Sequence, residues 1–354
     1  MGEDADQAIN AHTEPEELMV AHSRNHAWLA QVQEPAIDPG LPICDAHHHL
    51  WLDRGHTGWP YTLADLHADT GSGHNVVHTV FLECGAEYRT DGPEHLRSVG
   101  ETEFVAAQAA ASAASGGAEI AAIVSTADPQ HPRFDEALDA HEAAGEGRFR
   151  GIRAIVAHDD DAKLAMGKRH GMLAEESFRA GIRRLGERGL SFDTMVYHPQ
   201  LPELTAAARA CEGTTIVCNH LGAPMGVGPY RDRRSEVLAQ WRASMAELAT
   251  CPNVVLKLGG IGMPMYGLRW DRDPVPPTSE QLAAPWQDEI RFCIDHFGPQ
   301  RCFFESNFPV DKRCVSYAVL WNTFKRVASV YSADERRDLF HDSAARAYRI
   351  PTVA

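Results

Sequence analysis

A chain of 354 residues, 44% apolar and 23% charged, has ample material for a large core and fits one large domain or two ordinary ones. Its net charge of −16 argues against nucleic acid as a partner and offers no polybasic patch to a membrane. An acidic small molecule is not excluded, because a few local arginines reverse the field inside one pocket.

The first 41 residues are acidic and rich in Ala, Glu and His, and close with Pro35 and Asp38-Pro39-Gly40. They read as an N-terminal extension, helical over 14–33 and frayed over 1–12. From residue 42 to 350 a regular beat follows. Apolar, β-branched segments recur at 43–47, 76–84, 120–125, 149–157, 191–197, 214–220, 253–258 and 301–306. Helix-competent stretches separate them at 63–72, 94–114, 134–145, 177–189, 201–211, 234–250 and 285–297, and an amphipathic helix over 333–348 closes the chain. Eight strands spaced by helices predict a single-domain α/β protein, a (β/α)8 TIM barrel. A doubly wound open sheet has the same local pattern. No Gly-x-Gly-x-x-Gly follows the first strand, which counts against its nucleotide-binding version.

The eight cysteines contain no Cys-x-x-Cys pair, and Cys44, Cys84 and Cys218 fall inside apolar runs, as reduced buried thiols do. No basic leader precedes an apolar segment, and no run reaches the roughly 18 apolar residues that span a bilayer. The expectation is a soluble protein in a reducing cytoplasm.

Polar residues collect where strands end: His47 and His49 on the first, Glu83 on the second, Arg153 on the fourth, His198 on the fifth, His220 on the sixth, Glu305 and Asn307 around the eighth. In a closed barrel these ends face one cavity. Period two turns His47 and His49 the same way and His48 the other, so two neutral imidazoles can share a divalent metal. An isolated pair is equally well a polar turn. Four histidines converging on one cavity are not, because burying so many polar rings without a shared task is costly. Arg153 inside a barrel calls for a carboxylate, from Glu83, Glu305 or the substrate. Long connections over 85–94, with Tyr88 and Arg89, over 158–173, and over 259–286, with Tyr266, are candidate pocket walls. His131, His141, His296 and His341 lie in helices or their caps, read as surface or cap groups, and are assigned no role.

These residues resemble the amidohydrolase superfamily, in its amidohydrolase-2 branch of TIM-barrel hydrolases. The marks are Asp45-Ala46-His47-His48-His49-Leu50-Trp51, Arg150-Gly151-Ile152-Arg153, His198-Pro199-Gln200-Leu201-Pro202, Asn219-His220-Leu221-Gly222 and Ser306-Asn307-Phe308-Pro309-Val310. The resemblance implies that His47 and His49 bind a divalent metal or, in metal-free lactonases, the substrate carbonyl. His198 would be a further ligand, and His220 would orient or polarise the substrate. In the family the last strand ends in a water-activating aspartate; here the position is Asn307, which cannot take a proton. Glu305 is the expected substitute, with Glu83 and Asp311 behind it. No lysine ends the fourth strand to bridge two metals, so one ion, zinc or manganese, or none is expected. The implied activity is hydrolysis of a lactone or other cyclic ester, or an amide, of a small carboxylate-bearing compound. Glu305, His220, Asn307 and Arg153 would stand at the chemistry, and Arg153, Glu83, Arg89, Tyr88 and Tyr266 would contact substrate. The alternatives are non-oxidative decarboxylation of an aromatic or unsaturated acid, and an idle barrel that only binds. A homodimer is the family-level expectation.

Overall fold

The computed structural model of the protein describes residues 25–53, 58–167 and 169–352. Eight strands run parallel in sequence order: β1 Pro42–His48, β2 Asn75–Leu82, β3 Glu119–Ser125, β4 Phe149–Ile155, β5 Ser191–Met195, β6 Ile216–Cys218, β7 Val254–Leu258 and β8 Cys302–Phe304. Each expected strand is present. The ring is nearly closed by the segment after β8: Asn307 N–H donates to the His47 carbonyl at 2.9 Å, and His49 N–H to the Phe308 carbonyl at 2.8 Å. Buried Asp45 holds the same seam. Its carboxylate accepts from Ser306 N–H at 2.8 Å, Ser306 Oγ at 2.6 Å and Tyr317 Oη at 2.9 Å. The fold is therefore the expected α/β barrel surrounded by helices.

Strands buried on both faces read as continuous apolar runs, and this chain follows that rule. Outward residues such as Ile43, Phe81, Ile152, Phe192, Leu256 and Phe304 pack under the helices. Inward residues at the N-terminal end of the strands, including Cys44, Val80, Ala122, Val217 and Phe303, form a separate dry layer with Tyr348. Tyr348 ends the closing helix and fills the bottom of the barrel. That helix is not continuous: Ala333–Arg337 leads into a π-helical turn over Asp338–Asp342 and then Ser343–Tyr348.

Two features depart from the sequence reading. A helix spans Tyr317–Val327 where no element was expected. Its residues are buried on almost every side, Asn322, Thr323 and Lys325 included, although its apolar residues do recur at helical spacing, a signal the sequence reading passed over. His141 and His341, expected as surface or cap groups, are fully buried. His141 bonds Thr102 Oγ1 at 2.8 Å, and His341 pairs with His78 at 3.1 Å, partners that come from distant segments. The frayed stretch expected over 1–12 lies outside the described residues, as does most of the expected helix over 14–33; its described part is helical over 25–29. The rest of the extension is docked on the barrel, with Glu34 accepting from Ser279 N–H and Oγ and from Asn322. Among the described residues no helix is long and apolar enough to cross a membrane.

Candidate active site

Above the dry layer the inward positions become charged. Period two carries Arg153 on β4, Asp193 on β5 and Lys257 on β7 into the barrel, and Glu305 follows just beyond β8. On β1 strict alternation would fail. Ala46 belongs to the interior layer, so His47 should point outward. A register irregularity between Asp45 and His48 reverses the parity. His47 and His49 turn in, their Nε2 atoms 3.2 Å apart, while His48 turns away to Thr79 Oγ1 at 3.0 Å.

Glu305 is the hub. Its Oε1 accepts the Nδ1–H of His220 at 2.6 Å. Its Oε2 lies 2.8 Å from His47 Nδ1, but no N–H points at it, so this fully buried oxygen has no aligned hydrogen bond. The rings of His47 and His220 are 4.7 Å apart. His47, His220 and Glu305 offer donor atoms all within 4.8 Å of one another, a triad of the kind that holds a divalent metal. His49 stands beside it: Nδ1–H donates to the Leu82 carbonyl at 2.8 Å, which leaves the Nε2 lone pair facing His47 Nε2, the ring nitrogen away from Glu305. Two imidazole nitrogens on one tetrahedral ion, each about 2.0–2.1 Å from it, stand roughly 3.3 Å apart, close to the observed pair. The residues fit an ion. Burial, reinforced by Lys257 and the neighbouring rings, drives the His47 pKa well below its ordinary value, so the ring is neutral and its lone pair available.

His198, expected as a third ligand, is placed differently. Its Nδ1 accepts Met225 N–H at 3.4 Å, so the neutral ring carries its proton on Nε2. Nε2 is buried with no partner among the described residues. Burial brings the pKa down to about 4, which keeps the ring neutral. That tautomer offers a hydrogen bond rather than a lone pair, and the ligand triad takes His220 and Glu305 in its place. The ring edge stands on Tyr230, 5.0 Å between centroids, and Tyr230 Oη donates to Asp159 at 2.7 Å.

Arg153 lies in the barrel with its fork engaged. Nε donates to Glu83 Oε1 at 2.8 Å, Nη2 bonds the Glu83 carbonyl, and Nη1 stands 3.3 Å from His47 Nε2. Glu83 is thereby tied to Arg153. Asn307 adopts a left-handed backbone, φ 56°, and its Nδ2 donates to Asp311 Oδ1 at 2.9 Å. Asp311 also accepts Gly262 N–H, yet burial together with the charge of Glu305 pushes its carboxyl up to about 7. Tyr266 packs behind His220, its Oη donating to the His220 carbonyl at 2.9 Å. Arg89 turns to the surface and pairs with Glu103, and Tyr88 is 37% exposed at the rim. The structure thus gathers His47, His49, His220, Glu305, Arg153 and Glu83 at one place and leaves Arg89 outside it.

Two members of this centre escaped the sequence reading. Lys257 is fully buried, its Nζ 3.2 Å from Asp193 Oδ2 and 3.4 Å from His47 Nδ1. Asp193 is held in turn by Tyr348 Oη at 2.6 Å. The signal was a lone lysine at an inward position of Val254-Val255-Leu256-Lys257-Leu258, where charge is rare unless paired.

A parallel barrel with a buried His/His/carboxylate triad near the C-terminal ends of its strands is the architecture of a barrel enzyme with a candidate metal site. Residues 44–350 match the Amidohydro_2 amidohydrolase family, and the chain belongs to it. It is 31% identical over 330 residues to the uncharacterized protein y4mH of Sinorhizobium fredii, covering 88% of this chain and 99% of that one. It is 27% identical over 328 residues to an L-fucono-1,5-lactonase of Burkholderia multivorans, covering 88% and 97%. A crystal structure of a Burkholderia multivorans amidohydrolase with bound zinc superposes with a TM-score of 0.68 at 25% identity, over 87% of this chain and 99% of that one.

Proposed function

We propose that this centre hydrolyses a lactone or other cyclic ester of a small carboxylate-bearing compound. The observation that carries the reading is the buried Glu305–His220 pair, 2.6 Å apart, in the same strand-end ring as the unpaired Nε2–H of His198. Glu305 fixes the His220 proton on Nδ1, so Nε2 is the nitrogen that receives a proton from water, and the carboxylate steadies the imidazolium that results. In this scheme Glu305 acts through His220 rather than alone. His198 Nε2–H bonds the lactone carbonyl oxygen, and the Arg153 charge stabilises the oxyanion that develops there. Water adds, the ring C–O bond breaks, and the product gains a carboxylate and a hydroxyl.

An ion would be held by His47, His220 and Glu305 with His49 beside them, and a His220 that gives its Nε2 to the ion is no longer the base, so the ion-bound and metal-free arrangements are alternatives; zinc or manganese suits such donors and, when bound, supplies a Lewis acid for the carbonyl. The similarity to a protein named as a lactonase supports the substrate class. The reading takes the protein as a cytoplasmic homodimer acting on a small molecule, without a nucleic-acid or membrane partner; the eight unpaired cysteines suit a reducing compartment.

The test is a panel of sugar-acid lactones and pyrone carboxylates incubated in ¹⁸O-labelled water. Hydrolysis releases one proton per turnover and leaves the label in the product. Carbon dioxide released from an aromatic or unsaturated acid, with no label incorporated, would replace the hydrolase by a decarboxylase.

A further inference from the structure

Lys257 has no place in the chemistry above, yet a fully buried ammonium is expensive unless the surroundings use it. Its neighbours are those a cation takes: Asp193 Oδ2 at 3.2 Å, His47 Nδ1 at 3.4 Å and Glu305 Oε2 at 4.0 Å, with the Tyr348 ring centroid at 5.4 Å. Simple charge balance needs one carboxylate, and Asp193 suffices, since Tyr348 Oη also anchors it at 2.6 Å. The ammonium nevertheless leans toward Glu305 Oε2, the buried oxygen with no aligned hydrogen bond, and toward the ring beside it. We propose that Lys257 is a positioning residue: a built-in cation on β7 that holds the Glu305 carboxylate between His220 and His47, with Asp193 and Tyr348 holding the lysine.

A point charge suits this task better than a guanidinium fork. It attracts Glu305 and Asp193 together without fixing either in one plane. The consequence is indirect control. Without Lys257, Oε2 loses its only nearby cation among the described contacts, Glu305 relaxes, and the Oε1 bond to His220 Nδ1 lengthens.

The experiment removes the pair together, because Lys257→Met alone would leave Asp193 buried without its partner. In Lys257→Met/Asp193→Asn, ¹⁵N-histidine NMR reads the imidazole N–H resonances, among which the short His220–Glu305 bond sets one far downfield. We expect a folded protein whose downfield resonance has moved upfield or vanished, with kcat lower by about 10²-fold and KM changed less than about threefold. A folded double variant with that resonance unmoved and kcat within about threefold of wild type would overturn the proposal. Should the double variant not fold, Tyr348→Phe decides. Losing the hydroxyl frees Asp193 to draw Lys257 from Glu305, so the same resonance moves and kcat falls by about three- to tenfold; no change in either quantity overturns the assignment. Only the kinetic arm rests on the lactonase reading. If wild type cleaves no lactone that reading fails, while the resonance arm still decides the role of Lys257.

Discussion

Two cations flank His47 inside the barrel, and they are held in opposite ways. Arg153, on the β2 side, places Nε and Nη2 on Glu83 and only Nη1 on His47, at 3.3 Å. Lys257, on the β5–β8 side, is shared among Asp193, His47 and Glu305 at 3.2–4.0 Å. A guanidinium that has met its own carboxylate is a clamp: it fixes the ends of β4 and β2 and leaves a residual field over His47. An ammonium spread over three partners is a lever whose loss is felt by all of them. Two buried ion pairs in one barrel can therefore serve different ends: the first joins strand ends and leaves a field over the reacting centre, the second acts through Glu305.

The largest expected effect lies on the lever side. Glu305→Gln keeps shape but removes the charge that fixes the His220 tautomer, so kcat should fall by about 10²–10⁴-fold with the thermal unfolding midpoint little changed. An unaltered kcat for a measured hydrolysis would move the base elsewhere, with Asp311 next. On the clamp side the cost should appear in stability. Arg153→Met leaves Glu83 buried without its partner, for a loss of about 3–5 kcal/mol in denaturant unfolding. If its stability is retained and only turnover falls, Arg153 belongs with Lys257 and the contrast between the two cations dissolves. His198→Phe tests the donor that neither cation touches. Loss of a donor to the developing oxyanion predicts kcat/KM lower by about 10²–10³-fold, with the metal content of the purified protein, read by elemental analysis, unchanged. Loss of the ion in that variant would restore His198 as a ligand.

The smallest effect concerns Glu101, whose Oε1 accepts Cys84 N–H at 3.0 Å and Ala86 N–H at 2.8 Å behind Glu83. Burial, then the charge of Glu83, raise its carboxyl to about 7. A folded-state pKa above the unfolded value means that the native state binds the extra proton. Its stabilising contribution is therefore complete below about 4.5 and is lost as pH rises through about 7. Glu101→Gln, which cannot titrate, should lose less stability than wild type between pH 5 and 8, read as parallel melting curves across that range. Identical pH profiles for the two proteins would remove Glu101 from the clamp.

The barrel was legible because its strands are apolar on both faces and separated by helices of good propensity, a pattern that needs no tertiary information. The strand-end histidines were legible for the same reason. The pairing of His47 with His49 came out correctly even though the alternation behind it is broken by the irregularity between Asp45 and His48. Alternation along the last strand does not carry Glu305 and Asn307 to one face. β8 stops at Phe304, and the left-handed turn at Asn307 sends that side chain to Asp311, a geometry fixed by the seam with β1. Which cation meets which carboxylate was not legible either, because Arg153–Glu83 and Lys257–Asp193 are contacts across the barrel between segments far apart in sequence. Lys257 could have been found from its parity within β7; its partners could not.

The seam has a consequence for how the protein comes into being. The histidines of β1 and the carboxylate that organises them are separated by nearly the whole barrel, and Ser306 bonds Asp45 across 261 positions of sequence. During synthesis, which proceeds at about 5–20 residues per second, His47 and His49 leave the ribosome long before Glu305 exists. The seam between the first and last strands forms only once the last segment has been made, and Tyr348, made later still, holds Asp193 from below. A nascent or prematurely ended chain thus displays its imidazoles without the carboxylate that orients them. Reactivity is conferred by the last strand, so the chain acquires its chemistry only when the barrel it depends on is ready to close.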